Sequence, residues 1–81
     1  MSIILDTKGL ACPMPIIKLK KCLAQNIAAE TVILIELTDV GSLKDVPAFC
    51  QQQGLFYELV QQTPFMRFKI GRLPVSSNVE Q

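Results

Sequence analysis

The segment Gly9–Pro15, which reads Gly-Leu-Ala-Cys-Pro-Met-Pro, constrains the fold more than any other part of the chain. Proline suits the first position of a helix, because its φ is already helical and the N–H that it lacks would have no partner there. We therefore expect Pro13 to be the first helical residue and Cys12 the N-cap. Pro15 would then lie in the same turn, whose amides lack helical partners, and Gly9 would provide the backbone freedom to turn into it. The segment predicts a stiff corner that presents a thiol at a helix N-terminus.

The position of Cys12 predicts a reactive sulfur. The thiolate is the nucleophilic form of cysteine, and a helix N-terminus lowers the pKa of a thiol. Lys8 lies four residues upstream and adds a favourable charge. Pro13 and Pro15 remove two amides from the turn, which leaves mainly the amide of Met14 to face an anion. We therefore expect moderate activation of Cys12, which suits a sulfur that must both accept and release a group.

Hydrophobic periodicity predicts six elements in the order β-α-β-α-β-β. The apolar stripe of the first helix comprises Ile16, Leu19, Leu23 and Cys22, and Asn26 is a stop signal. The second helix has two possible starts: Ser42 with Asp45 resembles a capping box, whereas Pro47 favours a start near Asp45. The predicted ranges are Ile3–Asp6, Pro13–Gln25, Thr31–Thr38, Asp45–Gln53, Phe56–Gln62 and Phe65–Arg72.

This order predicts an α+β two-layer sandwich, with two helices packed on one face of a four-stranded mixed sheet. The Cys12 corner would lie at the carboxyl end of the first strand, where open α/β sheets usually place their sites. We expect one domain over residues 1–72 and a flexible tail over residues 73–81, which is polar and lacks periodicity.

Composition excludes several classes of function. The net charge of +1 gives no general attraction to nucleic acid or anionic membrane, and no apolar run approaches the roughly 20 residues of a membrane span. The chain has three cysteines and no histidine, which argues against a disulfide framework, a zinc site and a Cys/His catalytic pair. The N-terminus lacks the pattern of a signal peptide, so we expect a cytoplasmic protein. We also expect no cofactor.

Two segments of the chain form a recognisable combination. The first is Leu5-Asp6-x-x-Gly9-Leu10-x-Cys12-Pro13-x-Pro15 followed by a helix, and the second is Asp45-Val46-Pro47-Ala48-Phe49. With these segments the chain resembles the TusA-like (SirA-like) sulfur-carrier family. The resemblance covers about Leu5 to Arg72 and also matches the predicted element order. Met14 departs from the family, because the tRNA-thiolating members carry an acidic residue between the two prolines.

The resemblance implies that Cys12 carries sulfur as a persulfide, supported by Gly9, Pro13 and Pro15. A cysteine desulfurase or another sulfur donor protein would load Cys12, and a downstream acceptor protein would unload it. The pathway would be tRNA thiolation or another route of sulfur trafficking. The family uses a basic pair on the first helix for docking, and this pair is matched by Lys20 and Lys21. We expect a monomer whose docking surface comprises Met14, Lys18, Lys20 and Lys21.

Alternative interpretations stay open for each of these residues. Cys12 could be a structural thiol, and the lysines could be a solvated helix face. Cys22 and Cys50 are expected in the core, with a resolving role for Cys50 as the alternative. Asp6 and Asp45 are expected to orient loops or cap helices.

Two alternative functions compete with the sulfur carrier. The first is a non-catalytic RNA-binding or regulatory module, although direct nucleic-acid binding is not favoured by the charge balance. Its basic residues would be Lys18, Lys20, Lys21, Arg67, Lys69 and Arg72, with Tyr57 as the aromatic candidate. The second is a thiol redox protein that uses Cys12.

Overall fold

The computed structural model describes residues 2–72, which form six elements in the expected order. They are β1 (Ser2–Asp6), α1 (Met14–Gln25), β2 (Val32–Leu37), α2 (Ser42–Gln53), β3 (Phe56–Gln61) and β4 (Met66–Gly71). The four strands and α1 match their predicted ranges to within one residue at each end. The predicted tail at residues 73–81 lies outside the described residues, and the boundary at residue 72 stays a prediction.

The strands form one mixed sheet in the order β1-β2-β4-β3. β1 and β2 are parallel, with Ser2 opposite Val32 and Asp6 opposite Glu36. β4 runs antiparallel to β2 and to β3, so β3 and β4 form the predicted hairpin. Because β1 and β2 are parallel, the loops that follow them emerge at the same edge of the sheet. This edge carries Cys12.

Both helices pack on one face of the sheet, as the element order predicts. The inward side chains of β2 and β4 alternate with outward ones, the period expected of strands. The predicted stripe of α1 lies on this core, with Leu19 and Cys22 buried and Ile16 and Leu23 partly buried. The buried core comprises Leu19, Cys22, Ile33, Ile35, Leu37, Val46, Phe49, Cys50, Met66, Phe68 and Ile70.

The start of α2 differs from the prediction. The helix begins at Ser42 and includes Pro47, which was expected to delay its start to about Asp45. Gly41 is the N-cap of the helix, and its carbonyl accepts the amides of both Lys44 and Asp45 at 3.1 Å. The capping box that Ser42 and Asp45 resembled does not form, because Ser42 Oγ makes no hydrogen bond. Pro47 has no N–H, so the helix lacks one backbone hydrogen bond, the one to the carbonyl of Leu43.

Candidate functional site

The loop between β1 and α1 is fastened to the end of β2. The amide of Thr7 donates to the carbonyl of Glu36 at 2.8 Å, and its buried hydroxyl donates to the same oxygen at 2.6 Å. Further along, the amide of Gly9 donates to Thr38 Oγ1 at 2.8 Å. Because these bonds span 29 residues, the pairing of β1 with β2 determines where the loop lies.

Glycine and proline shape the corner that follows. Gly9 has φ +83°, a left-handed conformation that favours glycine and matches the turn expected there. Pro13 is the N-cap and α1 begins at Met14, so the expected positions are shifted by one residue and Cys12 lies just before the cap. Pro15 is buried in the first turn of α1, where it supports the corner from within.

The thiol of Cys12 is half-buried and lies between two acidic residues. Its Sγ donates to Asp45 Oδ2 at 2.7 Å, and its backbone amide donates to Asp39 Oδ2 at 3.3 Å. The hydrogen bond to Asp45, with smaller contributions from desolvation and Asp39, raises the pKa of the Cys12 thiol to about 12. Conversely, hydrogen bonds from the thiol and amide of Cys12 lower the pKa of Asp39. The expected activation of Cys12 by a lowered pKa is therefore wrong for the isolated chain.

The groups expected to stabilise a thiolate have other partners. The amide of Met14 donates to the carbonyl of Ala11 at 3.0 Å. The ammonium of Lys8 contacts Glu36 Oε1 at 2.8 Å and Asp6 Oδ1 at 3.2 Å, and it lies 4.6 Å from the centre of the Phe65 ring. The helix dipole and the Lys8 ammonium were expected to lower the pKa of the Cys12 thiol. The Asp45 carboxylate outweighs both and raises that pKa.

The other two cysteines lie in the core, as expected. Cys22 is buried on α1 and Cys50 is fully buried on α2, and all three cysteines are unpaired. Burial raises the pKa of Cys50 to about 11, which disfavours its thiolate. Cys12 is therefore the cysteine that a partner protein can reach most directly.

The residues expected to dock partners are exposed along α1. Met14 is 42% exposed, and Lys18, Lys20 and Lys21 are also exposed. Lys20 lies 5.9 Å from the centre of the Phe49 ring, whereas Lys18 and Lys21 line a groove of about 270 Å³ between α1 and β1. The exposed lysines therefore lie on two sides of α1, with Lys20 toward α2 and with Lys18 and Lys21 toward β1.

Sequence reasoning missed the relation of Asp39 and Asp45 to the thiol. Asp45 was expected to orient a loop or cap a helix, and it does lie in the first turn of α2. Its contact with Cys12 spans 33 residues, so local patterns do not reveal it. The topology carried a signal, because the loops after two parallel strands meet at one edge of the sheet. Asp6 does orient its loop, since Asp6 Oδ1 accepts the amide of Lys8 at 3.0 Å.

The site combines a reachable cysteine with a carboxylate that accepts a hydrogen bond from its thiol. Such a cysteine is suited to nucleophilic sulfur chemistry once its thiol loses the proton. Within residues 2–72, no group of three or more potential ligands is placed to hold a metal ion. In the same part of the chain, no helix has the length and apolar character needed to cross a membrane.

Comparisons with known proteins identify a family and several relatives of this chain. A protein-family model described as sulfurtransferase TusA matches residues 3–72. The chain is 46% identical over 56 residues to the Bacillus subtilis protein named "Putative sulfur carrier protein YrkF", a match that covers 69% of the chain and 30% of YrkF. It is 37% identical over 60 residues to "Putative sulfur carrier protein YrkI" of the same organism, covering 74% of the chain and 76% of YrkI.

Among solved structures, the fold is similar to that of a SirA-like protein from Desulfitobacterium hafniense. The TM-score is 0.75 at 24% sequence identity, and the match covers 88% of this chain and 96% of that one. This likeness supports the two-layer architecture.

Proposed function

Because this chain belongs to the TusA family, we propose that it is a sulfur carrier that holds sulfane sulfur as a persulfide on Cys12. The observation that carries the proposal is the placement of the cysteines. Cys12 is half-buried at the edge of the sheet, whereas Cys22 and Cys50 are buried. A carrier must present its sulfur to a donor and then to an acceptor, and Cys12 meets this requirement best.

The proposed reaction is an exchange of sulfane sulfur between two cysteines. The donor is a cysteine desulfurase or another sulfurtransferase that carries a persulfide. The Cys12 sulfur attacks the terminal sulfur of this persulfide, a new S–S bond forms on Cys12, and the S–S bond of the donor breaks. The donor cysteine leaves as a thiolate and takes up the proton that Cys12 lost. The same exchange then passes the sulfur to an acceptor protein, in tRNA thiolation or another route of sulfur trafficking.

The surface of α1 supports docking of partner proteins beside the thiol. Met14 is exposed two residues from Cys12, and its flexible side chain suits an interface with more than one partner. Lys18, Lys20 and Lys21 are exposed further along the helix, where their charges would attract acidic partner surfaces. Gly9, Pro13 and Pro15 act as supports that hold the corner and have no direct part in the chemistry.

The alternative of an RNA-binding module has less structural support. Arg67 and Lys69 lie on the sheet face opposite the helices, because the alternate residues of β4 point into the core. Arg67 is bound to Glu36 at 2.8 Å, and Arg72 donates to backbone carbonyls at the end of α1. The basic residues therefore do not form one patch that could follow a nucleic-acid backbone.

The test of the proposal is the intact mass of the protein after incubation with a cysteine desulfurase and cysteine. We expect the wild type to gain the mass of one sulfur atom, and we expect a reductant to remove it. Cys12→Ser should fold and gain nothing, whereas the matched control Cys50→Ser should gain as much as the wild type. Equal sulfur gain in Cys12→Ser and the wild type would contradict the proposal.

A further inference from the structure

The hydrogen bond between Cys12 and Asp45 has a chemical direction. A carboxylate oxygen can only accept, so the 2.7 Å contact between Cys12 Sγ and Asp45 Oδ2 exists while the sulfur carries its proton. If the thiol ionised, two negative charges would face each other at this distance. The contact therefore stabilises the thiol relative to the thiolate.

The charged groups around the sulfur also stabilise the thiol relative to the thiolate. Asp45 faces it from α2, and Asp39 faces it from the loop after β2. On its own loop, Lys8 is held by Glu36 and Asp6. Pro13 and Pro15 have no amide to offer an anion, and the amide of Met14 is bound to Ala11. No contact of residues 2–72 thus offsets the two carboxylates at Cys12.

We propose that Asp45 is a positioning residue that keeps Cys12 a protonated thiol in the empty protein. Asp45 is exposed in the first turn of α2, where a donor that docks beside Cys12 can displace it. The empty protein then reacts only slowly with small oxidants and electrophiles at neutral pH, because these react with the thiolate. Cys12 becomes nucleophilic when the contact with Asp45 is broken.

The contact between Cys12 and Asp45 also differs between the empty and the sulfur-loaded protein, a consequence that rests on the proposed sulfur-carrier function. Loading replaces the hydrogen on Cys12 Sγ by a sulfur atom, so Sγ has no proton left to donate to Asp45. The 2.7 Å contact therefore belongs to the empty protein alone.

The experiment measures the rate at which iodoacetamide alkylates Cys12 in the full chain, by mass spectrometry of the Cys12 peptide, from about pH 6 to about pH 10. With a pKa of about 12, the wild-type rate should rise throughout this range without levelling off. Asp45→Asn keeps the shape of the side chain and removes its charge. Its rate should level off within the range, because its thiol pKa returns toward an ordinary value of about 8.5. At pH 8 we expect Asp45→Asn to react at least about tenfold faster, after allowing for the lower nucleophilicity of a more acidic thiol.

Three further variants complete the design. Glu58→Gln removes an exposed carboxylate on β3 and should match the wild type. Asp45→Glu keeps the charge and should stay closer to the wild type than Asp45→Asn does. Asp45→Ser is a second uncharged variant, so that the result does not depend on the folding of one protein, which circular dichroism checks.

The result that would overturn the proposal is an Asp45→Asn or Asp45→Ser profile that coincides with the wild type. A wild-type profile that levels off below about pH 9 would also overturn it, since the thiol would then have an ordinary pKa. Alkylation requires no sulfur donor, so either failure is distinguishable from failure of the sulfur-carrier function, which the mass measurement tests separately.

Discussion

Glu36 fastens the loop that carries Cys12 through both its side chain and its main chain. Its carboxylate accepts hydrogen bonds from Lys8 and Arg67, each at 2.8 Å, and its carbonyl accepts two from Thr7. The Glu36 side chain is only 9% exposed. A carboxylate with so little contact with water needs charged partners to stay ionised. The charge of Glu36 therefore adds to the main-chain bonds that hold the loop on β2.

This contribution predicts a loss of stability in acid. Hydrogen bonds from Lys8 and then Arg67 lower the pKa of Glu36. A carboxyl group with a lowered folded-state pKa stabilises the fold above its unfolded-state pKa, about 4.3 for glutamate. That contribution is lost as the pH falls through the folded-state pKa. We expect the free energy of unfolding, measured with urea from about pH 7 to about pH 3, to fall more steeply for the wild type than for Glu36→Gln.

Two further observations complete this test. At pH 7, Glu36→Gln should be less stable than the wild type, because Lys8 and Arg67 lose a charged acceptor. The control Glu58→Gln should keep the wild-type pH dependence. Identical acid sensitivity of Glu36→Gln and the wild type would show that Glu36 is not the group responsible.

At the scale of elements, the C-terminus of α1 is completed by a residue from another element. The last turn of α1 contains no basic residue. Arg72, which follows β4, donates to the carbonyls of Asn26 at 2.8 Å, Leu23 at 2.9 Å and Ala28 at 3.3 Å. Carbonyls at a helix end lack helical partners, and a cation there also interacts favourably with the helix dipole. Arg72 thus joins the end of the sheet to the end of the helix.

We therefore expect Arg72→Ala to lower the free energy of unfolding by about 2 kcal/mol, the scale of hydrogen bonds to a charged group. Denaturation with urea provides the measurement. The matched control is Lys69→Ala on β4, which should change stability by less than about 0.5 kcal/mol. If the two variants were equally stable, the bonds from Arg72 would have no net effect on the fold.

At the scale of the whole molecule, residues 2–72 share one core between one helical layer and one sheet. Leu19 contributes from α1, while Ile33, Ile35 and Leu37 contribute from β2. A domain this small has a narrow margin of stability, typically about 5–15 kcal/mol for native proteins. The loss of one large core side chain should therefore lower the free energy of unfolding of the whole domain.

Leu19→Ala tests this view. Leu19 is fully buried, so its truncation should lower the free energy of unfolding by about 2–5 kcal/mol. Ile27→Ala, at a side chain 79% exposed, is the matched control and should change stability by less than about 0.5 kcal/mol. Both values come from urea denaturation monitored by circular dichroism. A small loss in Leu19→Ala, close to that of the control, would count against a single tightly packed core.

Much of the fold was predictable because its signals are local. Each of these signals depends on residues that are close together in the sequence. They are the alternation of β4, the apolar stripe of α1 and the prolines of the corner. They predicted the element order, the bounds of five elements to within one residue, and the two-layer sandwich. The predicted start of α2 near Asp45 was wrong, because Pro47 does not exclude the helix from the preceding turn. The alternative start at Ser42 agrees with the observed bounds, although the cap is Gly41 and Ser42 Oγ makes no hydrogen bond.

The sequence by itself thus determined the elements, the corner at Cys12 and the family to which the chain belongs. Only the tertiary structure decided the charge around the thiol. Lys8, near Cys12 in the sequence, pairs with Glu36, whereas Asp45, 33 residues away, contacts the sulfur. The physical reason is that backbone propensity depends on neighbours along the chain, whereas electrostatic interaction depends on distance in space. The pairing of β1 with β2 brought the carboxylates to Cys12, where they favour the protonated thiol over the thiolate.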